Sequence, residues 1–312
     1  MVKCAICEKE FPEDKNLHLH IKAHKLSIGE YYQSQFPRHD MHDGKIIKFK
    51  NKEQYMSADF NNKGNLKKWL KDAPLDIAKR YCKTLLTKRK REKGLEYTPT
   101  EVELRTLMVP PIPYYQVMFG DYYSLCEEIG FKNKFSVFPK KSRAKERFTE
   151  DHVIYIDSRE QKPLEINDFP TEVKGLKFGD YCLNDKKKTG NCYIERKSVP
   201  DLIGTLSSGL ERFEREIERA AEEKAYLVIL VERKMDDCLA FNKLRHVYKK
   251  NTRVTPDFIF HNVRYLIQKF PHIQFLFVKG REECVRVVKK ILLTSIPQKK
   301  FDLQLAYDLD LL

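Results

Sequence analysis

The sequence predicts an α/β sheet domain in the second half of the chain, preceded by a small metal-binding unit and a small helical module. Three observations carry this. From His152 onward, short apolar runs ended by turn residues flank one long amphipathic stretch; residues 4–24 hold a Cys-Cys-His-His set; and residues 98–130 break into short helical periods around Pro and Gly.

Length and composition fit this plan. The chain has 312 residues, 41% of them hydrophobic, which is enough for more than one packed core. The net charge is +14, with 30 Lys and Arg against 20 Asp and Glu in residues 1–150 and 29 against 25 thereafter. A basic excess placed mainly in one half points to a polyanion partner, nucleic acid or an anionic membrane surface. No segment approaches the roughly 18 apolar residues of a membrane span, and no signal-peptide pattern opens the chain, so a soluble, intracellular, DNA-associated protein is expected. Apart from Cys4 and Cys7 the eight cysteines are scattered singly, which argues against a disulfide framework and for a reducing compartment. The expected divisions are residues 1–30, 31–97, 98–135, a linker at 136–150, and the sheet domain at 151–312.

Residues 4–24 read CAICEKEFPEDKNLHLHIKAH. A CxxC knuckle offers two thiolates, Cys4 and Cys7, and His20 and His24 at i and i+4 offer two imidazoles from one helix face, a donor set suited to one structural zinc ion. Phe11 and Leu17 fall where so small a unit needs its apolar core. The segment resembles the two-cysteine, two-histidine zinc finger, which implies a ββα unit. Glu13, Asp14, Lys15, Asn16 and His18 would face a DNA groove, a mixed set compatible with docking on phosphate, binding protein, or bracing the next segment. The following LSIGEYYQSQFPRHD resembles what succeeds such fingers in nucleases of phages and mobile elements.

Residues 62–95 carry Lys67, Lys68, Lys71, Lys79, Arg80, Lys83 and the block KRKREK at 88–93, either a solvated helix face or a DNA-backbone contact. Thr98, Pro99 and Glu101 form a helix start, predicting a short helix to about Leu107. After VPPIP, the recurrence of Tyr114, Met118, Tyr122, Leu125 and Ile129 around Phe119-Gly120 predicts two short helices about a turn. This module resembles the helix-turn-helix repeat found beside homing-type endonucleases; its aromatics are expected to form a mini-core. The charged stretch KNKFSVFPKKSRAKERFTED is the expected linker.

In the sheet domain, HVIYID, LKFGDYCL, NCYIERK, AYLVILVE and IQFLFV read as strands, and Ser208–Glu223, with Leu210, Phe213, Ile217 and Ala221 on one face, reads as a helix. Asp157 and Glu160 end the first strand, Asp180 sits in a Gly-Asp turn, and Glu195 and Lys197, two residues apart in a strand, share a face. Hard oxygen donors converging at a sheet edge suit magnesium with open water positions, the requirement for phosphodiester hydrolysis. Lys197 would orient or help deprotonate a water, and Arg159 and Arg196 would hold phosphate or carboxylates.

IDSRE at 156–160, GDYCL at 179–183 and ERKSVPDLIGTL at 195–206 resemble the XPF-type nuclease domain, whose signature is met by Gly179, Asp180, Glu195, Arg196, Lys197 and Asp201. The resemblance covers about residues 152–295. It implies a restriction-endonuclease-like core, magnesium or manganese, incision of branched or otherwise structured duplex DNA, and a possible homodimer through this domain. It further implies Asp157, Glu160, Asp180 and Glu195 as metal ligands or their supports, and Asp201 as a partner behind them. Branch-cutting members usually carry tandem helix-hairpin-helix modules after the nuclease, for which too few residues follow here. The tail FDLQLAYDLDLL could close the fold, form a dimer contact, or bind a replication or repair protein. The contrasting expectation is a sequence-specific DNA-binding regulator that uses a nuclease-derived domain for dimerisation.

Overall fold

The computed structural model describes residues 1–37, 46, 73–107, 109–135, 137–139, 152–185, 188–244, 254–293 and 300–312. Lys67, Lys68 and Lys71 and most of the expected linker lie outside the described residues. The chain forms two compact units, residues 1–85 with 107–114 and residues 86–106 with 115–312.

In the first unit, β1 (Val2–Lys3) and β2 (Glu10–Phe11) pair antiparallel, with Val2 opposite Phe11, and α1 (Asp14–Ile21) follows. Cys4, Leu17 and Ile21 are buried, and half-buried Phe11 packs against them. The expected pair Phe11 and Leu17 is therefore joined by Ile21 and by a residue from outside the finger. That residue is Tyr31 on α2 (Ile28–Gln35), fully buried, whose hydroxyl accepts from the Ala5 amide at 2.8 Å. Ser27 starts α2 with a capping box closed by Glu30, so helix entry is fixed about one turn before Tyr31. α3 (Leu75–Lys93) carries the basic block on its last turns.

The second unit is built on a six-stranded mixed sheet of order β4-β3-β5-β6-β7-β8. Its strands are β3 (His152–Asp157), β4 (Thr171–Lys174), β5 (Tyr181–Asp185), β6 (Lys188–Lys197), β7 (Tyr226–Val231) and β8 (Ile273–Phe277). The pairs β3/β5 and β5/β6 are antiparallel; β3/β4, β6/β7 and β7/β8 are parallel. β7 and β8 are buried throughout and read as continuous apolar runs, as strands covered on two faces must. Alternation divides them: Leu227, Ile229 and Val231 face one core, Tyr226, Val228 and Leu230 the other.

Three expectations need correction here. LKFGDYCL is not one strand: β5 begins only at Tyr181, because the Leu176 amide turns to the Asp157 carboxylate and Gly179 adopts φ +58°. β4 was not expected, since TEVK is exposed at every position and shows no alternation. The short helix α4 (Glu101–Arg105) is capped by Thr100 with Glu103 reciprocating, two residues later than the Thr98 start; the Thr98 hydroxyl instead donates to Asn133 Oδ1 at 2.5 Å. Both threonines satisfy the capping spacing, and Asn133, 35 residues away, decides between them.

α5 (Ile112–Phe119) and α6 (Tyr122–Ile129) form the expected helix pair, with Gly120 at φ +81° in the break and Gly130 at φ +92° ending the second helix. Tyr115, Tyr122, Tyr123, Leu125 and Cys126 are buried, so the aromatics pack as a core; the inward phase falls on Tyr115 in place of Tyr114.

One sheet face is covered by α7 (Val199–Thr205), α8 (Leu210–Glu222), the single turn α9 (Met235–Cys238) and α10 (Pro256–Lys269). The other is covered by α11 (Arg281–Leu293) and α12 (Leu303–Asp308). α12 also closes the β8 edge: Gln304 Oε1 accepts from the Phe277 amide at 2.8 Å, satisfying a group that would otherwise be open to strand addition. The tail is thus a structural part of this unit.

Buried Asp302 ties two helices together, accepting from the Glu101 amide at 2.6 Å, in the first turn of α4, and from the Leu305 amide at 3.1 Å, in the first turn of α12. Removing it orphans two buried amides. Asp302→Ala should lower stability by about 2–4 kcal/mol in urea titrations, and a loss below about 0.5 kcal/mol would show that neither cap matters.

Candidate active site and N-terminal metal centre

The site grows from one close approach of backbone. At Gly179 a Cβ would lie 2.9 Å from the Ile194 carbonyl oxygen and 3.3 Å from the Tyr193 Cβ, and φ is +58°, so only glycine lets this turn lie against β6. Asp180 then donates its amide to Ile194 O at 2.8 Å, accepts the Asp157 amide on its own carbonyl at 2.8 Å, and takes the Arg196 amide on Oδ2 at 2.7 Å. The ends of β3, β5 and β6 are thereby joined through one residue.

Strand alternation sorts the expected site residues by face. On β6, Glu195 and Lys197 follow Tyr193 toward the α7–α8 side, where the Lys197 ammonium lies 5.3 Å from the Phe213 ring centroid and 2.7 Å from Glu195 Oε1. Arg196 points the other way. Its guanidinium, 9% exposed, holds Glu160 through Nη2 at 2.9 Å and Glu232 through Nη1 at 2.8 Å, and the two carboxylates hold its pKa well above the ordinary value against the effect of burial. Arg196 and Glu160 therefore form a buried ion-pair cluster on the face opposite Glu195 and Lys197.

Asp157 is placed at the same strand ends but is already occupied. Oδ1 accepts from the Arg159 amide at 2.7 Å and Nε at 2.8 Å; Oδ2 accepts from Arg159 Nη2 at 2.9 Å and the Leu176 amide at 2.8 Å. A carboxylate has about four acceptor positions, and four donors fill them. Burial opposes its ionisation, yet these bonds hold its pKa below the usual carboxylate range. Arg159 itself stays 72% exposed while held rigid. Asp201 stands apart, exposed in the first turn of α7 with its carboxylate bonded to the Ser198 hydroxyl.

Asp180 is the strained member. Burial and then the Glu195 charge push its pKa up to about 7, against the Arg196 amide, which favours the anion. Two carboxylates crowded in a partly dry site are the donor chemistry that a hard divalent cation relieves, and magnesium is commonly held by one or two carboxylates with waters and substrate phosphate completing its shell. The residues present fit such an ion at Asp180 and Glu195.

Two acids were missed in the sequence. Glu216 on α8 has its pKa raised by burial first and by Glu195 second, with Lys197, Arg219 and Arg159 opposing. Nothing distinguishes it within EREIERA, where charges fill every outward position. Glu232 was within reach, since it ends AYLVILVE as Glu195 ends its own strand, and a carboxylate closing a central strand is a usable signal.

The N-terminal set meets its expectation. Among the described residues, Cys4, Cys7, His20 and His24 are the one group of three or more such side chains whose donor atoms converge, all within 4.8 Å of one another. Cys7 Sγ to His20 Nε2 is 3.1 Å, Cys4 Sγ to His24 Nε2 is 3.6 Å, and the two Nε2 atoms are 3.1 Å apart. A tetrahedron with Zn–N of about 2.05 Å and Zn–S of about 2.3 Å has edges of about 3.3–3.8 Å. Buried Cys4 is held below the usual thiol pKa: burial raises it, but bonds from the Cys7 and Ile6 amides favour the thiolate more.

Residues 156–291 match the ERCC4 domain. Among solved structures, XPF from Aeropyrum pernix is similar at 20% identity and a TM-score of 0.32, covering 45% of this chain and 64% of that one. The same protein in complex with DNA is similar at 18% identity and a TM-score of 0.32, covering 45% and 62%. The chain thus spans less than two thirds of either. No curated protein is significantly similar to it.

The raised pKa of Asp180 has a sign that can be checked. A carboxyl that ionises more easily unfolded than folded stabilises the fold fully below its unfolded pKa of about 4, and that contribution is lost as pH rises to about 7. In chelator, Asp180→Asn should therefore be no more stable than the parent at pH 4 but melt about 3–6 °C higher at pH 8. Equal melting points at pH 8 would show that Asp180 carries no such penalty.

Proposed function

On the premise that residues 156–291 are an ERCC4 domain, the nuclease domain of the XPF type, we propose that this chain is a divalent-metal-dependent DNA endonuclease acting on branched or otherwise structured duplex DNA. The observation that carries the reading is the pairing of Asp180 with Glu195 beside the Lys197 ammonium, at a sheet edge where Gly179 is obligatory.

Asp180 and Glu195 would hold the magnesium or manganese ion. When bound, the ion supplies charge stabilisation at the scissile phosphate and a water of lowered pKa. Lys197, fixed by Glu195 and by the Phe213 ring, orients the attacking water and offsets charge on the phosphorane-like oxygens. Arg159, locked by four bonds between it or its amide and Asp157 or Leu176 yet open to solvent, holds a phosphate oxygen. Asp157 acts as its anchor, Glu216 sets the local charge that Lys197 and Arg159 balance, and the Glu160–Arg196–Glu232 cluster braces β6 from behind. Hydrolysis adds water across the P–O bond, the leaving oxygen taking the proton. We assign the N-terminal centre one structural zinc ion, and DNA targeting to the modules before residue 151.

End-labelled plain duplex, nicked, flap, fork and four-way-junction DNAs incubated with magnesium should show cutting of the branched forms. Lys197→Ala should lower the rate by about 10²- to 10⁴-fold and Glu195→Ala should abolish it, while DNA binding persists in each. Tight binding without cleavage in magnesium or manganese sinks the nuclease reading. Separately, elemental analysis should give about one zinc per chain, lost in Cys7→Ser; a metal-free parent would remove the zinc assignment.

A further inference from the structure

Beside the carboxylates lies a second feature that the cleavage chemistry does not use. A cavity of about 370 Å³ is lined by Tyr155, Lys174, Gly175, Leu176, Lys177, Phe178, and across from them Asn191, Tyr193, Glu223 and Ala225. It opens on the sheet face that carries Glu195 and Lys197. Tyr155, Cys182 and Tyr193 are aligned across β3, β5 and β6, and α8 stops at Glu222, just before the rim residue Glu223.

The cavity is continuous with the site by covalent and hydrogen-bonded links. Tyr155 precedes Asp157 by two residues on β3, and Tyr193 precedes Glu195 by two on β6, a step of about 7 Å along a strand with the side chains on the same face. The wall segment Lys174–Phe178 is the segment that holds the catalytic edge: its Leu176 amide donates to Asp157 and its Leu176 carbonyl accepts from Arg159.

Its chemistry is aromatic and basic. Phe178 and Tyr193 meet edge-on at 5.6 Å, the half-buried Tyr155 ring lies under the Lys174 ammonium at 4.9 Å, and exposed Lys177 reaches Glu223 at 2.7 Å across the rim. Glu223 is the one acid in the lining, and Lys177 neutralises it. The half-buried Tyr155 ring for stacking, above a floor of buried Phe178 and Tyr193, ammonium groups for phosphate, and the Asn191 amide for a base edge are the kinds of group that recognise a single-stranded nucleotide. A base inside a duplex has its faces covered by its neighbours and cannot enter a concave aromatic pocket; an unpaired one can. The volume suits a single small ligand.

We propose that this cavity is a binding subsite for an unpaired nucleotide next to the scissile phosphate, so that the nuclease domain itself reads the single-stranded side of a DNA branch. The inference rests on the nuclease reading above for its substrate. It gives the domain a means of branch recognition that requires no further module.

The test is binding, measured on the full chain in chelator so that cleavage plays no part. The probe is a forked DNA with 2-aminopurine at the first unpaired positions, compared with a blunt duplex of the same stem. The parent and Tyr155→Phe should change the 2-aminopurine emission on binding, as stacking requires. Tyr155→Leu should abolish that change and weaken fork binding about 5- to 100-fold with blunt-duplex affinity unaltered. Lys177→Ala, at a side chain 67% exposed and so without risk to folding, should weaken fork binding more than duplex binding. Unaltered emission and fork affinity in Tyr155→Leu and Lys177→Ala would overturn the subsite, even where the parent cuts forks. An equal loss on fork and duplex would overturn it too, since that reports phosphate charge alone. A parent that stacks the unpaired probe but never cuts would instead count against the nuclease reading and leave the subsite standing.

Discussion

The second unit depends on one contact that only a residue without a side chain can make. Gly179 lies so close to the Ile194 carbonyl that a Cβ would sit at 2.9 Å from it. That approach lets the Asp180 backbone join β3 to β6 while its carboxylate turns to the Arg196 amide. Any wider separation would break the β5 pairing at its first residues and move Asp180 away from Glu195. Fold and chemistry therefore share a single steric requirement, and the Gly-Asp pair has no conservative replacement at its first position.

Around that contact the strands distribute charge by parity. A strand offers alternate residues to opposite faces, so the string Glu195-Arg196-Lys197 sends its arginine to one side and its acid and lysine to the other. The arginine side is balanced, with Glu160 and Glu232 filling the guanidinium. Removing one partner there would strand a buried charge, a costly event. The acid side is unbalanced: Asp180 is pushed toward protonation by burial and by Glu195. Such separation allows β6 to be anchored by one face while the other holds like charges close together.

Much of this was legible. The strands β3, β6, β7 and β8 and helix α8 could be read because each is either continuously apolar or strongly amphipathic, and the metal-binding spacing of Cys4, Cys7, His20 and His24 is a local property of one knuckle and one helix. The helix break at Gly120 was legible for the same reason. What escaped depends on distant partners. Tyr31 completes the finger core from the next helix, Asn133 diverts Thr98 from capping, and β4 exists because β3 offers it a pairing edge, with no apolar pattern of its own. Among site residues, the carboxylates could be found by their place at strand ends, but not which face each would serve. Asp157 reads like a ligand in sequence, but that Arg159 and the Leu176 amide would together meet its carboxylate could not be read there. Glu216 could not be singled out, because its distinction is a neighbour on another element.

The electrostatics of the site also explain why a basic protein should place acids where DNA must come. The chain carries +14 overall, which attracts a phosphate backbone at long range, but Asp180, Glu195 and Glu216 would repel it at close quarters. Arg159 and Lys197 offset only part of this, since Lys197 is spent on Glu195 and Asp157 offsets the charge of Arg159. A bound divalent cation changes the sign locally: it makes the Asp180 and Glu195 charges favourable, and frees the exposed face of Arg159 to meet phosphate without a competing carboxylate nearby. On the proposed reading, only contact of the scissile phosphate with Asp180 and Glu195 would be conditional on the ion, whereas engagement elsewhere, the aromatic cavity included, would not. The chain would then search DNA without the metal and cut only with it, a separation of binding from chemistry.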